Sequence, residues 1–276
     1  MTNESDAGPS ARFRELHVPG DPLFMPNAWD LGSARTLVAL GAAAIATTSS
    51  GFALTRGRRD YRVTRDEAIA HGAELAAAVA VPVSADLENG FGVTPDDAAV
   101  TIRSAVDAGL AGGSIEDASG DPAAPILDAG LAVERVAAAA EAAGAKGTGF
   151  VLTARAESFL WEPEPDLAAV IDRLQRFAAA GADVLFAPGL PDLAAVREVC
   201  AAVDRPVNVL LTRGLERHTR AELGEAGAAR LSTGGALAFL AYGAMAEAAA
   251  PAFTDGRFDG WGGHPDGART VRAALR

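Results

Sequence analysis

The segment Ser84–Gly92, SADLENGFG, places two carboxylates one residue apart, at Asp86 and Glu88. In an extended strand alternate residues share a side, so the pair projects the same way, roughly 7 Å apart along the chain. Acids that close repel, and a buried carboxylate without a partner is costly. A hard divalent cation relieves both problems, and oxygen-only ligands select Mg2+ or Mn2+. A second pair, Glu116 and Asp117 in SIED, closes another apolar run. Alternation sends these two to opposite sides, and Glu116 is expected to face inward with Ser114.

Other polar residues sit at the ends of apolar runs. Arg155, in TARAE, offers a planar fork for a carboxylate or phosphate; equally, it could pair with Glu116 or Glu157. The run TTSSG, Thr47 to Gly51, combines hydroxyls with small residues, so its backbone N–H groups can approach an anion. Asn208 interrupts the apolar stretch PVNVLL, suited either to holding a substrate oxygen or to a satisfied structural amide. Ser232–Gly235 stands at the last strand-to-helix turn, the usual phosphate position of barrels, although small residues also serve tight packing there. Arg56, Arg58 and Arg59 could hold a phosphoryl dianion or form a solvated basic loop.

These residues need a scaffold that gathers strand ends. Five times a helix-like stretch closes on Gly and runs into an apolar strand: at Gly41, Gly109, Gly144, Gly181 and Gly227. Periodicity and breakers give eight strands, near 23–28, 43–49, 81–88, 113–117, 150–157, 183–188, 206–211 and 229–233. Helices alternate with them near 31–40, 65–80, 95–108, 132–143, 167–180, 193–203, 220–226 and 236–249, several with start signals at Thr64, Thr94 and Asp166. The strands are continuous apolar runs, as in a parallel sheet covered on both faces. Eight such units close most simply into one α/β fold, a (β/α)8 TIM barrel, whose chemistry gathers at the carboxyl ends of the strands. Residues 1–12 read as a disordered lead-in, 13–250 as the barrel, and 251–276 as a tail with a short helix. The stretches 52–62 and 119–130 follow polar strand ends and are candidate active-site lids.

Composition narrows the function. The chain has 276 residues, 49% hydrophobic, enough for a large core, and a net charge of −12 that argues against nucleic acid or anionic membranes as partners. No uninterrupted apolar run of membrane-spanning length and no basic, apolar leader stands out, and one Cys cannot form an internal disulfide; the expected compartment is the cytoplasm. The lone lysine, Lys146, enters a strand at the wrong end for barrel chemistry, so a Schiff base is not expected. Cys200 lies in a helix-period segment and reads as structural. None of His17, His71, His218 and His264 falls at an expected strand end, which leaves a zinc hydrolase little support.

The ordered set PNAWD (Pro26 to Asp30), TTSSG, Asp60, ADLENGFG (Ala85 to Gly92), IED (Ile115 to Asp117), ARAE (Ala154 to Glu157) and PVNVL (Pro206 to Leu210) resembles the isocitrate lyase / phosphoenolpyruvate mutase superfamily, in its phosphonomutase-like branch. The resemblance spans roughly Phe13 to Ala249, and D-x-E-x-G-[YF]-G is its most specific piece. It implies a Mg2+-dependent enzyme acting on an α-oxo acid through a pyruvate enolate. By the same resemblance Asp86, Glu88 and Glu116 hold the metal, partly through waters, with Asp60 nearby. Thr48, Ser49 and Ser50 receive the substrate carboxylate, Arg155 binds substrate, and Asn208 adds a polar contact. Asp60, Arg155 and Glu116 are thereby the catalytic candidates. The resemblance also implies a homo-oligomer, a dimer or tetramer, with the last helix, Ala236 to Ala249, exchanged between subunits.

Two departures shape the expected activity. Isocitrate and methylisocitrate lyases carry a K-[KR]-C-G-H loop after the strand matching SIED, and phosphoenolpyruvate mutase a D-K-x-x-P-K-x-N-S loop. This chain reads ASGDPAAPILDAG there, without Cys, Lys, His or Asn. The remaining platform suits C–C cleavage of an α-oxo or 2-hydroxy acid, by decarboxylation of an oxaloacetate-like acid or by a retro-aldol step with Asp60 or a metal-bound water as base. The alternatives are P–C bond chemistry on a phosphonate and a non-catalytic oxo-acid-binding barrel.

Overall fold

The structure, a computed structural model, describes residues 8–263 and 265–275. The chain opens with helix α1 (Pro9–Glu15), then β1 (Leu23–Met25) and β2 (Asn27–Ala28), α2 (Leu31–Ala39), β3 (Ile45–Thr47), α3 (Ser49–Thr55), α4 (Arg65–Ala78), β4 (Val83–Asp86), α5 (Pro95–Asp107) and β5 (Gly112–Glu116). It continues through α6 (Ala129–Gly144), β6 (Val151–Arg155), α7 (Ser158–Trp161), α8 (Leu167–Ala179), β7 (Val184–Phe186), α9 (Leu193–Ala202), β8 (Val207–Leu210), α10 (Arg220–Glu225), β9 (Arg230–Ser232), α11 (Ala236–Thr254) and α12 (Pro265–Ala274). All strand pairs are parallel, in the order β1-β9-β8-β7-β6-β5-β4-β3-β2. The expected first strand is split at Pro26, which has no N–H for the ladder, so β1 pairs with β9 and β2 with β3. Its two halves thus join the ends of the sheet into the expected barrel.

The glycine rhythm is realised as left-handed backbone at Gly41, Gly109, Gly181 and Gly227. In the third unit helix α6 runs through Gly144, and the left-handed residues are Gly147 and Gly149 instead. The main core lies between the strands and the surrounding helices, with Ile45, Leu75, Ile102, Leu152, Leu174 and Leu185 fully enclosed. A smaller cluster fills the amino-terminal end of the barrel, where Phe13 of α1 packs with Leu23, Met25, Val151 and Val184. Gly112 permits this plug, because a Cβ there would lie 2.8 Å from the Phe13 ring. Helix α1 therefore begins within the segment read as a lead-in, at Pro9, and caps the barrel floor.

Helix α11 extends past the expected end at Ala249 and contains Pro251. Among the described residues it alone is long and apolar enough to cross a bilayer by length and composition, which the sequence reading did not anticipate. It is largely uncovered, with Phe239, Leu240, Met245 and Phe253 all exposed. In the tail, α12 packs against α2.

Candidate active site

Strand ends β4, β5 and β6 bring the sequence-predicted acids and Arg155 together. Cross-strand register sets Asp86 beside Ser114 and Glu116 beside Arg155. Arg155 spans three carboxylates: Nη1 lies 2.8 Å from Asp86 Oδ1, Nη2 3.1 Å from Glu116 Oε2, and Nε 2.8 Å from Glu157 Oε1. Its guanidinium also lies over the Phe186 ring, 5.4 Å from the centroid. The ion-pair role read for Arg155 is the one the structure shows, and the side chain also reaches the wall of a cavity. Burial drives the Glu116 and Glu157 carboxyls upward against the pull of Arg155, and the three acids hold Arg155 firmly protonated. The phenol of Tyr61 donates to Glu116 Oε1, so both oxygens of this buried acid are engaged. Asp117 turns to the opposite side, as alternation requires, where it accepts from the Glu157 N–H and faces Arg173.

Asp86 and Glu88 stay near each other by a route different from simple alternation. Strand β4 ends at Asp86, and Glu88 has a left-handed backbone, φ 48°, in the following turn. From there the Glu88 N–H approaches Asp86 Oδ1 at 3.4 Å. Burial first, then the charges of Asp86 and Asp60, push the Glu88 carboxyl up to about 8. Asp60 is likewise raised by burial and by Asp86. Three mutually repelling acids with oxygen-only donors suit a hard divalent cation. Among the described residues no three His, Cys, Asp or Glu side chains enclose a common point. The fit to a cation therefore rests on the donor chemistry of Asp86, Glu88 and Asp60 and not on an assembled cage. Glu116, read as a third ligand, has its two oxygens engaged by Arg155 and Tyr61.

An inner cavity of about 190 Å3 opens above these residues and includes Thr48, Ser49, Ser50, Asp60, Asp86, Arg155 and Asn208 in its lining. The TTSSG run does not simply end a strand; Thr48 caps helix α3, its Oγ1 accepting from Gly51 N–H. The Ser49 N–H donates to Asp86 Oδ2 at 3.0 Å, which ties this wall to the acids. Asn208 is a satisfied amide at the cavity wall: Oδ1 accepts from Arg230 Nε at 2.9 Å and Nδ2 donates to Ser232 Oγ at 2.8 Å. The turn Ser232–Gly235 does not keep its donors for a phosphate. Thr233 and Gly234 N–H both donate to Asn27 Oδ1 at 2.9 Å.

A second, outer cavity of about 910 Å3 adjoins the inner one at Asp60 and is lined by both candidate lids, through Arg59, Tyr61, Asp121 and Pro122, and by Phe91 and Trp161. Tyr61, Glu88 and Phe91 all carry positive φ here, a concentration of backbone strain of the kind found beside ligand sites. Arg56 and Arg58 turn to Glu67, at 3.9 and 2.9 Å, so only Arg59 of that trio borders the cavity. Lys146 pairs with Asp107 away from the site, and burial pushes the Cys200 thiol up to about 11. His264 lies outside the described residues. Sequence reasoning missed Tyr61, Asn27 and Arg230; the one signal available was an Arg inside a barrel strand.

The fold is that of the isocitrate lyase / phosphoenolpyruvate mutase superfamily. The chain belongs to the phosphoenolpyruvate phosphomutase family, whose model matches residues 13–253. A solved structure from Burkholderia cenocepacia described as a lyase/mutase is 44% identical, covers 97% of this chain and 96% of its own, and superposes with a TM-score of 0.91. The structure of 2,3-dimethylmalate lyase is 25% identical over 97% of this chain and 95% of its own, with a TM-score of 0.83. The 2-methylisocitrate lyase of Escherichia coli is 28% identical over 74% of this chain and 70% of that protein.

Proposed function

We propose that this protein is a Mg2+-dependent carbon–carbon lyase, with Mn2+ as an alternative metal, acting on an α-oxo or 2-hydroxy acid. The observation that carries the reading is Arg155, fixed among Asp86, Glu116 and Glu157 at the wall of an open cavity. A small acid of two to four carbons suits the inner cavity, and the outer cavity has room for the fragment that leaves. Asp86 and Glu88 would hold the ion, with Asp60 nearby, and Thr48–Ser50 would receive the carboxylate. The ion would supply Lewis-acid stabilisation to the oxygen that becomes negative as the bond breaks. Arg155 is fixed in advance near that position, so little reorganisation is needed as charge develops. Asp60, raised by burial and close to Asp86, is the group suited to accept a proton.

The names of two relatives, 2,3-dimethylmalate lyase and 2-methylisocitrate lyase, support C–C cleavage. The phosphonate reading needed a cluster of arginines on the 52–62 stretch, and two of the three are occupied by Glu67. The test is pyruvate release from oxaloacetate, 2-methylmalate-like acids and phosphonopyruvate, with Mg2+ and with chelator. Metal-dependent turnover of a carbon substrate supports the reading. Turnover of phosphonopyruvate alone overturns it in favour of P–C chemistry, and metal-dependent oxalate binding without any turnover favours a binding barrel.

The exposed apolar side of α11 fits a second copy of this chain. Its first turn abuts the active-site helix: a Cβ on Gly51 of α3 would lie 3.1 Å from Ala238 Cβ. Covering α11 in a homo-oligomer would therefore also steady the Thr48–Ser50 wall. A cytoplasmic oligomeric enzyme is the setting this reading supposes.

A further inference from the structure

Beneath the acid cluster lies another buried arginine that the proposed reaction does not use. Arg230 opens β9, is 3% exposed, and lines the inner end of the cavity with Met25, Ala46, Ser84, Ser114 and Asn208. It sits deeper than Arg155, for it donates from Nη2 to Thr153 Oγ1 at 3.0 Å, two residues before Arg155 on β6. Its Nε donates to Asn208 Oδ1 at 2.9 Å and its Nη1 faces His17 Nε2 at 3.1 Å. His17 Nδ1 lies 2.8 Å from the Phe13 carbonyl, which can only accept, so Nδ1 carries the proton and Nε2 is a neutral acceptor.

Every partner of Arg230 is thus uncharged, and no carboxylate lies within ion-pair distance of it among the described residues. This contrasts with Arg155 and its three acids. It also contrasts with Arg135, which donates to the carbonyls of Asn89, Gly92 and Thr94 and so cinches a loop. A buried cation without a counter-charge is costly, and burial together with Arg155 lowers Arg230 to about 9. The guanidinium still has N–H groups left over on both terminal nitrogens. Around it, positions that barrels usually fill with bulky branched residues carry Ser84 and Ser114, which leave space and offer hydroxyls.

We propose that Arg230, with Ser84, Ser114 and Asn208, forms an anion subsite at the inner end of the cavity, for a carboxylate-sized monoanion. Two sources share that chemistry: a terminal carboxylate of the substrate, or a small free anion such as formate or a halide. The subsite does not depend on the lyase reading, and its test requires no turnover.

The full-length protein, exchanged into a HEPES buffer free of halide and carboxylate, is titrated with chloride, bromide, formate, malonate and succinate while thermal unfolding is followed. A saturable rise in Tm with halide or formate that is at least tenfold weaker in Arg230→Met identifies a free-anion site. A rise confined to the dicarboxylates, again at least tenfold weaker in Arg230→Met, assigns the subsite to the substrate's own carboxylate. Should Arg230→Met not fold, Ser114→Val keeps the charge and fills the space, and the same loss is expected. No saturable response in the wild type, or responses unchanged in the variants, overturns the proposal.

Discussion

Arg155 and Asp86, from strands β6 and β4, meet across the intervening β5 with Nη1 2.8 Å from Oδ1. The same Asp86 accepts from Ser49 N–H at 3.0 Å, so one carboxylate joins the guanidinium, the α3 wall and the neighbouring acids Asp60 and Glu88. If that junction holds the cation, Asp86→Asn should keep the shape and lose the affinity. At a Mg2+ concentration about a hundredfold above Kd, the wild type should gain about 2.7 kcal/mol of stability and the variant essentially none. Urea unfolding with Mg2+ and with chelator measures this; an equal gain in both proteins excludes Asp86 as a ligand.

Arg155→Lys tests the planar fork. A lysine ammonium is a point charge and cannot span Asp86, Glu116 and Glu157 together. The expected outcome is a loss of kcat on the order of 10²- to 10³-fold, the scale of removing one preorganised charge donor. Steady-state pyruvate release reads it. A change confined to KM would reassign Arg155 to uniform substrate binding.

The barrel was legible because its signals are local. A helix end, often marked by Gly, an apolar run, then Asp86, Glu116 or Arg155 can be read within a few residues of one another. What escaped depends on distant partners or on backbone reversals. Alternation cannot foresee that the chain leaves the strand after Asp86 and that Glu88 reaches it from a left-handed turn. Helix α3 was hidden because Ser and Gly are weak helix formers; Thr48 as cap starts it nonetheless. The partnership of Tyr61 with Glu116 spans 55 residues and has no sequence pattern.

That partnership gives a stability prediction. Burial and the Glu116 charge raise the Tyr61 phenol, so it remains a proton donor. Tyr61→Phe removes the donor to Glu116 Oε1 and leaves a buried acceptor short of a partner. A loss of roughly 1–3 kcal/mol is expected in urea unfolding. An unchanged midpoint would show that water replaces the phenol at no cost.

Leu240 is 68% exposed near the start of the apolar helix α11. Leu240→Asp introduces a charge that an apolar interface cannot bury cheaply, while solvent tolerates it. If α11 seats a second copy, light scattering after size exclusion should show the wild type as an oligomer and the variant shifted toward monomer. A wild-type monomer, or an oligomer indifferent to the charge, would remove α11 from the interface.

His17 links the barrel floor to acid stability. Burial first, then the charges of Arg230 and Arg14, lower it to about 3 from its ordinary 6.5, outweighing the Phe13 carbonyl that would raise it. The unfolded chain therefore takes up a proton below pH 6.5 that the folded chain refuses until about pH 3. Stability from this group is complete above pH 6.5 and drains as the pH falls through that window, by about 1.4 kcal/mol per pH unit. His17→Gln offers an amide without a titrating group. Relative to its own value at pH 7, the variant should lose about 3 kcal/mol less than the wild type on going to pH 4.5. Urea unfolding at the two pH values supplies the comparison. Parallel losses would mean that His17 is protonated in the fold, and that Arg230 does not face a neutral ring nitrogen.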